Sequence, residues 1–391
     1  MLAELVVLRI VDVRHGRCDH LEFAPCVWHE LTDRPDRYCR QVIKYLGSKR
    51  RLVPLIQQIV SELPVATACD LFAGTTRVGQ GLRQIGVEVV SNDLASYSQV
   101  LGQAYVVADE AVDRVALRRV LAELARLPPA AGYFTQTFCV DARFFTPRNG
   151  ARIDAIRTAI DRRALGEVER GLVLTSLLEA ADRVDSTTGV QMAFLKSWAP
   201  RAHNDLELRE PDPVPGPRGS VVRGDANTLA PTLDVDLVYI DPPYNQHSYF
   251  SNYHIWETLV RWDQPEAYGI ARKRIDCQTT KSAYNSRREA PAALAELLGA
   301  ITAPWLLVSL SNEARHDRDE VVAALEAHGH VGVVAVDSKR YVGAQIGIHN
   351  PAGQRVGAVS HLRNSELLFL VGPDRALVDR ALSGVPQPAP A

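Results

Sequence analysis

Residues 235–240 (VDLVYI) are almost wholly apolar and run directly into Asp241-Pro242-Pro243-Tyr244. A second run of this kind lies at 305–310 (WLLVSL). Strands that apolar are buried on both faces, which places them in a largely parallel sheet covered by helices. Two successive prolines donate no backbone hydrogen bond, so they end the first strand and stiffen the turn that follows. Further strands are expected at 65–72, 87–91, 221–222, 331–336 and 367–371. Helices are expected over 78–85 and behind Ser48, where Leu52, Leu55, Ile56, Ile59 and Val60 recur at helical spacing. The strand–loop–helix–strand run at 65–91 reads as a parallel βαβ unit. The fold class is therefore α/β: a Rossmann-like sheet with helices on both faces and one long, mostly helical insertion.

The insertion is assigned to 109–218, between catalytic segments 41–108 and 219–375. It ends in EPDPVPGPRG at 210–219, which has the composition of a linker. Residues 1–40 carry no clear motif and read as an extension of unknown role, and 376–391 read as a disordered tail. Cys18, His20, Cys26 and His29 have a spacing a zinc site could use, but no paired C-x-x-C supports it, so no metal is expected. The six cysteines are scattered, and no apolar run reaches the roughly 18 residues of a membrane span. The start of the chain carries charges in its apolar stretch and lacks a signal-peptide cleavage site, so a reducing cytoplasm is the expected compartment.

Two ends of the sheet carry chemistry. Asp70-Leu71-Phe72-Ala73-Gly74 closes the first strand of the βαβ unit, and Asp93 closes the second. Ligands of open parallel sheets bind past the carboxyl ends of the strands, where strand order reverses. A glycine there admits a ligand to the backbone, and an acid some twenty residues on can accept both ribose hydroxyls of an adenosine-containing cofactor. The G-x-G-x-x-G pattern is missing, because Thr75, Thr76 and Arg77 follow Gly74. Bulkier residues suit a cofactor without pyrophosphate, such as S-adenosylmethionine. At the other end, the Asp241 carboxylate and the Pro242 carbonyl form two fixed acceptors. An exocyclic amine has two N–H donors, and this pair would satisfy both. Holding them from one side favours a pyramidal nitrogen with its lone pair free for attack, so positioning and electrostatics supply the catalysis. Tyr244 would stack on a base, which must leave the duplex to arrive there.

Together these pieces resemble the D12 class of N6-adenine-specific DNA methyltransferases, of the restriction-modification type. The likeness runs over about residues 41–372. It rests on Lys44-Tyr45-Leu46-Gly47-Ser48-Lys49, on 70–74, on Asp93 and on 241–244, in that order. It implies an S-adenosylmethionine-dependent methyltransferase sheet with an inserted target-recognition region. Asp241, Pro242, Pro243 and Tyr244 would form the catalytic loop. Tyr45, Lys49, Asp70, Phe72, Gly74, Asp93, Asp225 and Asp241 would surround the cofactor. One departure is Thr76, where many members carry a second glycine. The implied substrate is duplex DNA, with a separately acting restriction endonuclease as a companion and no membrane partner. DNA contact is expected from the basic loop 271–290, through Arg272, Lys273, Arg274 and Lys281, with Arg143, Arg148, Lys196 and Arg201 as further candidates. The net charge of −2 is no footprint of a nucleic-acid binder, so these patches are local. An RNA amine methyltransferase and an N4-cytosine DNA methyltransferase are the alternatives, the latter usually with Ser where Asp241 stands.

Overall fold

The computed structural model describes residues 9–12, 43–243, 248–311, 318–339, 348–349, 355–357, 363–383 and 385. The strands, in chain order, are β1 (Arg9–Asp12), β2 (Thr67–Asp70), β3 (Glu88–Asp93), β4 (Ser220–Arg223), β5 (Leu237–Ile240), β6 (Ala267–Tyr268), β7 (Lys273–Arg274), β8 (Trp305–Ser311), β9 (His330–Lys339), β10 (Ile348–His349), β11 (Arg355–Gly357) and β12 (Arg363–Gly372). Eight of them form one sheet in the order β1-β9-β12-β8-β5-β2-β3-β4. Pairing is parallel except along β12, which runs antiparallel between β8 and β9. The chain winds outward from β2 through β3 to β4, then returns to β5 on the other side of β2. The reversal of strand order therefore falls between β2 and β5, and the crevice above it is where a doubly wound sheet binds ligands.

The apolar runs behave as expected. All of β5 and all of β8 is buried. Alternate side chains enter two cores: Leu237, Tyr239, Leu307 and Leu368 pack with Ile56 and Ile59, whereas Val238, Ile240, Val308 and Phe369 pack with Leu294 and Leu297. Helices Val53–Ser61, Arg77–Gln84 and Arg375–Ser383 cover the first face, and Ala290–Ala300 and Arg318–Glu326 the second. Asp236 locks the start of β5 to β2 by accepting from the Ala66 and Thr67 amides at 2.8 Å each.

Between β3 and β4 the chain is mostly helical, with helices Ser96–Gly102, Arg114–Ala125, Pro147–Asp161 and Glu167–Arg183. Their core contains Phe134, Phe138, Phe144 and Phe145, and it is continuous with Ile255, Trp256 and Leu259 on helix His254–Arg261. The insertion thus buttresses the helix that follows the Asp241 turn.

Three expectations need correcting. Ser48 makes no side-chain cap: a 3-10 turn, Lys49–Arg51, intervenes and the helix begins at Val53. Residues 210–219 are not a loose linker, because the buried Arg83 guanidinium donates to the carbonyls of Gly216, Pro217 (2.7 Å) and Tyr105, clamping this strap to helix Arg77–Gln84. The tail is not structureless from 376: helix Arg375–Ser383 buries Val378, Ala381 and Leu382, a spacing that gives it one apolar face against the sheet. Within the motif-free first forty residues, β1 adds a parallel edge strand beside β9. Cys18, His20, Cys26 and His29 lie outside the described residues.

Candidate active site

The carboxyl ends of β2, β3, β4 and β5 open onto one cavity. Its wall includes Tyr45, Lys49, Asp70, Phe72, Gly74 and Asp93, and Asp225, Asp241, Pro242 and Pro243. The segments separated by the whole insertion are thus brought together. Tyr244 lies outside the described residues.

Each side chain is held by something identifiable. Gly74 adopts φ +52°, a left-handed conformation that disfavours a side chain, and a Cβ there would meet the Tyr45 ring at 2.9 Å. Tyr45 cannot easily move aside. It stacks on Tyr253 at 4.6 Å and Tyr249 at 5.3 Å between ring centroids, with Tyr97 edge-on at 6.4 Å. Asp93 accepts from the Gly74 amide at 2.8 Å through one oxygen and from the Ala95 amide at 2.9 Å through the other. Burial raises its carboxyl above the usual range against the pull of those two amides. Asp70 accepts from the Gly79 amide at 3.0 Å. Burial pushes its carboxyl up to about 7, with Asp241 and Asp93 adding to the rise. Asp225 caps the short helix Ala226–Leu229 by accepting from the Thr228 amide at 3.1 Å. Thr76, two residues beyond Gly74, has φ +59° and is fully buried. It therefore adopts the glycine-like conformation itself, and its hydroxyl accepts from Gln80 at 3.0 Å.

The reactive end centres on one lysine. Lys49 Nζ lies 3.1 Å from Asp241 Oδ1 and 2.6 Å from Glu366 Oε1, with side-chain exposures of 7%, 16% and 10% for the three groups. Ser309 donates to the same Glu366 oxygen at 2.8 Å. Burial pushes the Asp241 carboxyl up; Lys49 opposes the shift and Glu366 adds to it. Glu366, Ser309, Tyr97 and Tyr284, whose ring meets Phe72 edge-on at 5.3 Å, were not singled out from the sequence. The one available signal was Glu366 itself, a charge on the flank of the apolar run 367–371.

The basic loop is less uniform than its composition suggests. Arg274 is 1% exposed, with both terminal nitrogens 2.7 Å from Asp263 oxygens and a further bond to Asp276 at 2.9 Å. The expectation that it contacts DNA is therefore corrected: it braces the β6–β7 ribbon. Arg272 pairs with Asp141 at 2.7 Å. Lys273 is half-buried on β7, while Lys281 is exposed and lines the cavity mouth. In the insertion, Arg201 holds Asp185 at 2.7 Å, Arg148 pairs with Asp205, and Arg143 donates to the Leu195 carbonyl at 3.0 Å.

Residues 45–295 match the model of the D12 class N6 adenine-specific DNA methyltransferases. The chain belongs to this family. Among curated relatives of this D12 methyltransferase is the type II methyltransferase M.NlaIII of Neisseria lactamica, 29% identical over 313 residues, which span 76% of this chain and 92% of the relative. The modification methylase StsI of Streptococcus sanguinis is 30% identical over 317 residues, 76% of this chain but 48% of that protein. M.FokI of Planomicrobium okeanokoites is 30% identical over 307 residues, 73% and 47% of the two chains, so this chain spans about half the length of the latter two. The family's reaction is methyl transfer from S-adenosylmethionine to N6 of adenine in DNA, and neither the RNA nor the N4-cytosine alternative finds support. The cavity suits this cationic donor: four carboxylates (Asp70, Asp93, Asp225 and Asp241) line it against Lys49, Arg77 and Lys281, beside the rings of Phe72 and Tyr284. No described helix is long and apolar enough to cross a membrane.

Proposed function

We propose that this D12 methyltransferase is the modification enzyme of a restriction-modification or defence system. It methylates an adenine rotated out of duplex DNA at a defined sequence, in the cytoplasm, alongside a cognate endonuclease that acts separately. What supports the catalytic assignment is one juxtaposition: the Asp241-Pro242-Pro243 turn and the Gly74–Asp93 contact face the same cavity.

The Asp241 carboxylate and the Pro242 carbonyl accept the two N–H groups of the adenine amine, turning its lone pair out of the ring. S-adenosylmethionine, when bound, supplies an electrophilic methyl group. Lys49 fixes the Asp241 carboxylate through Oδ1. Asp93 accepts from the ribose hydroxyls; each of its oxygens already accepts one amide and retains a lone pair. Phe72 and Tyr284 wall the adenine end of the cofactor slot, with Asp225 at its rim. Tyr45 shapes the floor under Gly74, and Asp70 ties the end of β2 to helix Arg77–Gln84 through the Gly79 amide. Tyr244 stacks on the target base. Residues 109–218 read the sequence, and Lys273 and Lys281 contact the phosphates.

Methylation-sensitive long-read sequencing of DNA from cells expressing the chain tests this. N6-methyladenine is expected at one sequence motif and is expected to vanish with Asp241→Ala. Modification that survives the substitution would refute the catalytic assignment.

A further inference from the structure

The arrangement around Lys49 contains one carboxylate more than the ion pair needs. A neutral Lys49–Asp241 pair would hold the catalytic turn without help from β12. Glu366 instead stands on the same face of β12 as Leu368 and Leu370, which are core residues, where an apolar side chain would continue the pattern. A buried carboxylate in that place is costly unless it is paired. It is paired with the Lys49 ammonium at 2.6 Å, closer than Asp241 at 3.1 Å, and with the Ser309 hydroxyl at 2.8 Å. Two carboxylates sharing one ammonium leave a net negative charge at the turn.

We propose that Glu366 is a positioning residue of the methyl transfer: it shares the Lys49 ammonium, so that the ionised Asp241 carboxylate is not neutralised by Lys49 and faces the target amine with its charge. This rests on the reading of Asp241 as the group that grips the amine. As the nitrogen–carbon bond forms and the sulfur–methyl bond of the donor breaks, with S-adenosylhomocysteine as the leaving group, the amine becomes cationic until it loses one N–H proton to solvent. An oriented negative charge beside it lowers the barrier, whereas a Lys-neutralised Asp241 would do so far less. Among the described residues, the ionisable groups facing Asp241 are Lys49 from the 3-10 turn, Glu366 from β12, Asp70 from the end of β2 and Tyr239 from its own strand. Of these, Glu366 and Asp70 oppose its ionisation and Lys49 favours it.

Glu366→Gln removes the charge while keeping the shape and an acceptor for Ser309. Single-turnover methylation of a duplex substrate, followed across pH at saturating donor, is the assay. The plateau rate is expected to fall about tenfold or more. The acid limb is expected to move to lower pH, because Asp241 then loses its proton more readily. Glu366→Asp retains the charge and is expected to keep the limb at its wild-type position. A loss of thermal stability with an unmoved limb would assign Glu366 a merely structural role and overturn the proposal. A limb that moves as far in the Asp variant as in the Gln variant would overturn it too. Asp241→Ala in the same assay separates the two layers. Activity that survives it sinks the reading of Asp241, whereas an inactive Asp241→Ala beside an unmoved Glu366→Gln limb sinks only the role of Glu366.

Discussion

Gly74→Ala is the sharpest test of how the cofactor end is built. The residue sits at φ +52°, and its new Cβ would lie 2.9 Å from Tyr45 Cε1. A left-handed non-glycine residue costs about 1–2 kcal/mol. Relief of the clash requires the Tyr45 ring to tilt out of its stack on Tyr253 and Tyr249. Weakening one aromatic pair adds about 0.5–1.5 kcal/mol. The expected total is a loss of about 1.5–3.5 kcal/mol. Part of it appears as reduced stability and part as a misplaced Asp93, whose carboxylate accepts from the Gly74 amide. Urea denaturation reads the first part. Calorimetric titration with S-adenosylhomocysteine reads the second, where a loss of at least about tenfold is expected. A variant with wild-type stability and wild-type affinity would refute the argument that this loop is in tight contact with both Tyr45 and the ligand.

Thr76→Gly should be neutral or mildly stabilising in the same denaturation assay, since relief of the φ +59° backbone offsets the lost Gln80 contact. Arg274→Ala should lower stability by about 1–3 kcal/mol through its lost bonds to Asp263 and Asp276, which keep Arg261 as a partner, yet leave the salt dependence of DNA binding unchanged. Lys273→Ala with Lys281→Ala should instead weaken DNA binding and reduce the slope of log affinity against log salt, by up to about one per lysine; an unchanged slope removes both from the interface. Burial pushes His254 down to about 3, with Nε2 3.0 Å from the Gln191 carbonyl. The unfolded chain takes up this proton near pH 6.5, the folded protein only near pH 3, so the stability is complete above pH 6.5 and is lost as the pH falls. At pH 4.5 the loss is about 2–3 kcal/mol, and His254→Gln should remove that part of the acid sensitivity.

Much of the sheet could be read from residue patterns because burial on both faces leaves a plain signature. β5 and β8 are continuous apolar runs, and the turn after β5 is marked by two prolines. The cavity residues could be read because backbone geometry dictates them, as with Gly74 and Asp93. Charges were harder, since composition does not say which are paired across the fold. Arg274 looked like part of a basic patch, but its partners Asp263 and Asp276 enclose it. Arg83 lies far in sequence from 210–219, so the strap it clamps looked like a linker. Glu366 meets Lys49 across 317 positions, a contact no local pattern encodes. The helix Arg375–Ser383 was hidden by the Pro/Ala-rich residues just beyond it.

The account's central claim is that one crevice holds both the methyl donor and the acidic turn that grips the amine. A crystal structure of the chain with S-adenosylhomocysteine tests it most directly. The ribose hydroxyls are predicted to lie on Asp93 and the sulfur to face Asp241 across the cavity. A ligand bound elsewhere, or one whose sulfur points away from Asp241, would contradict the claim.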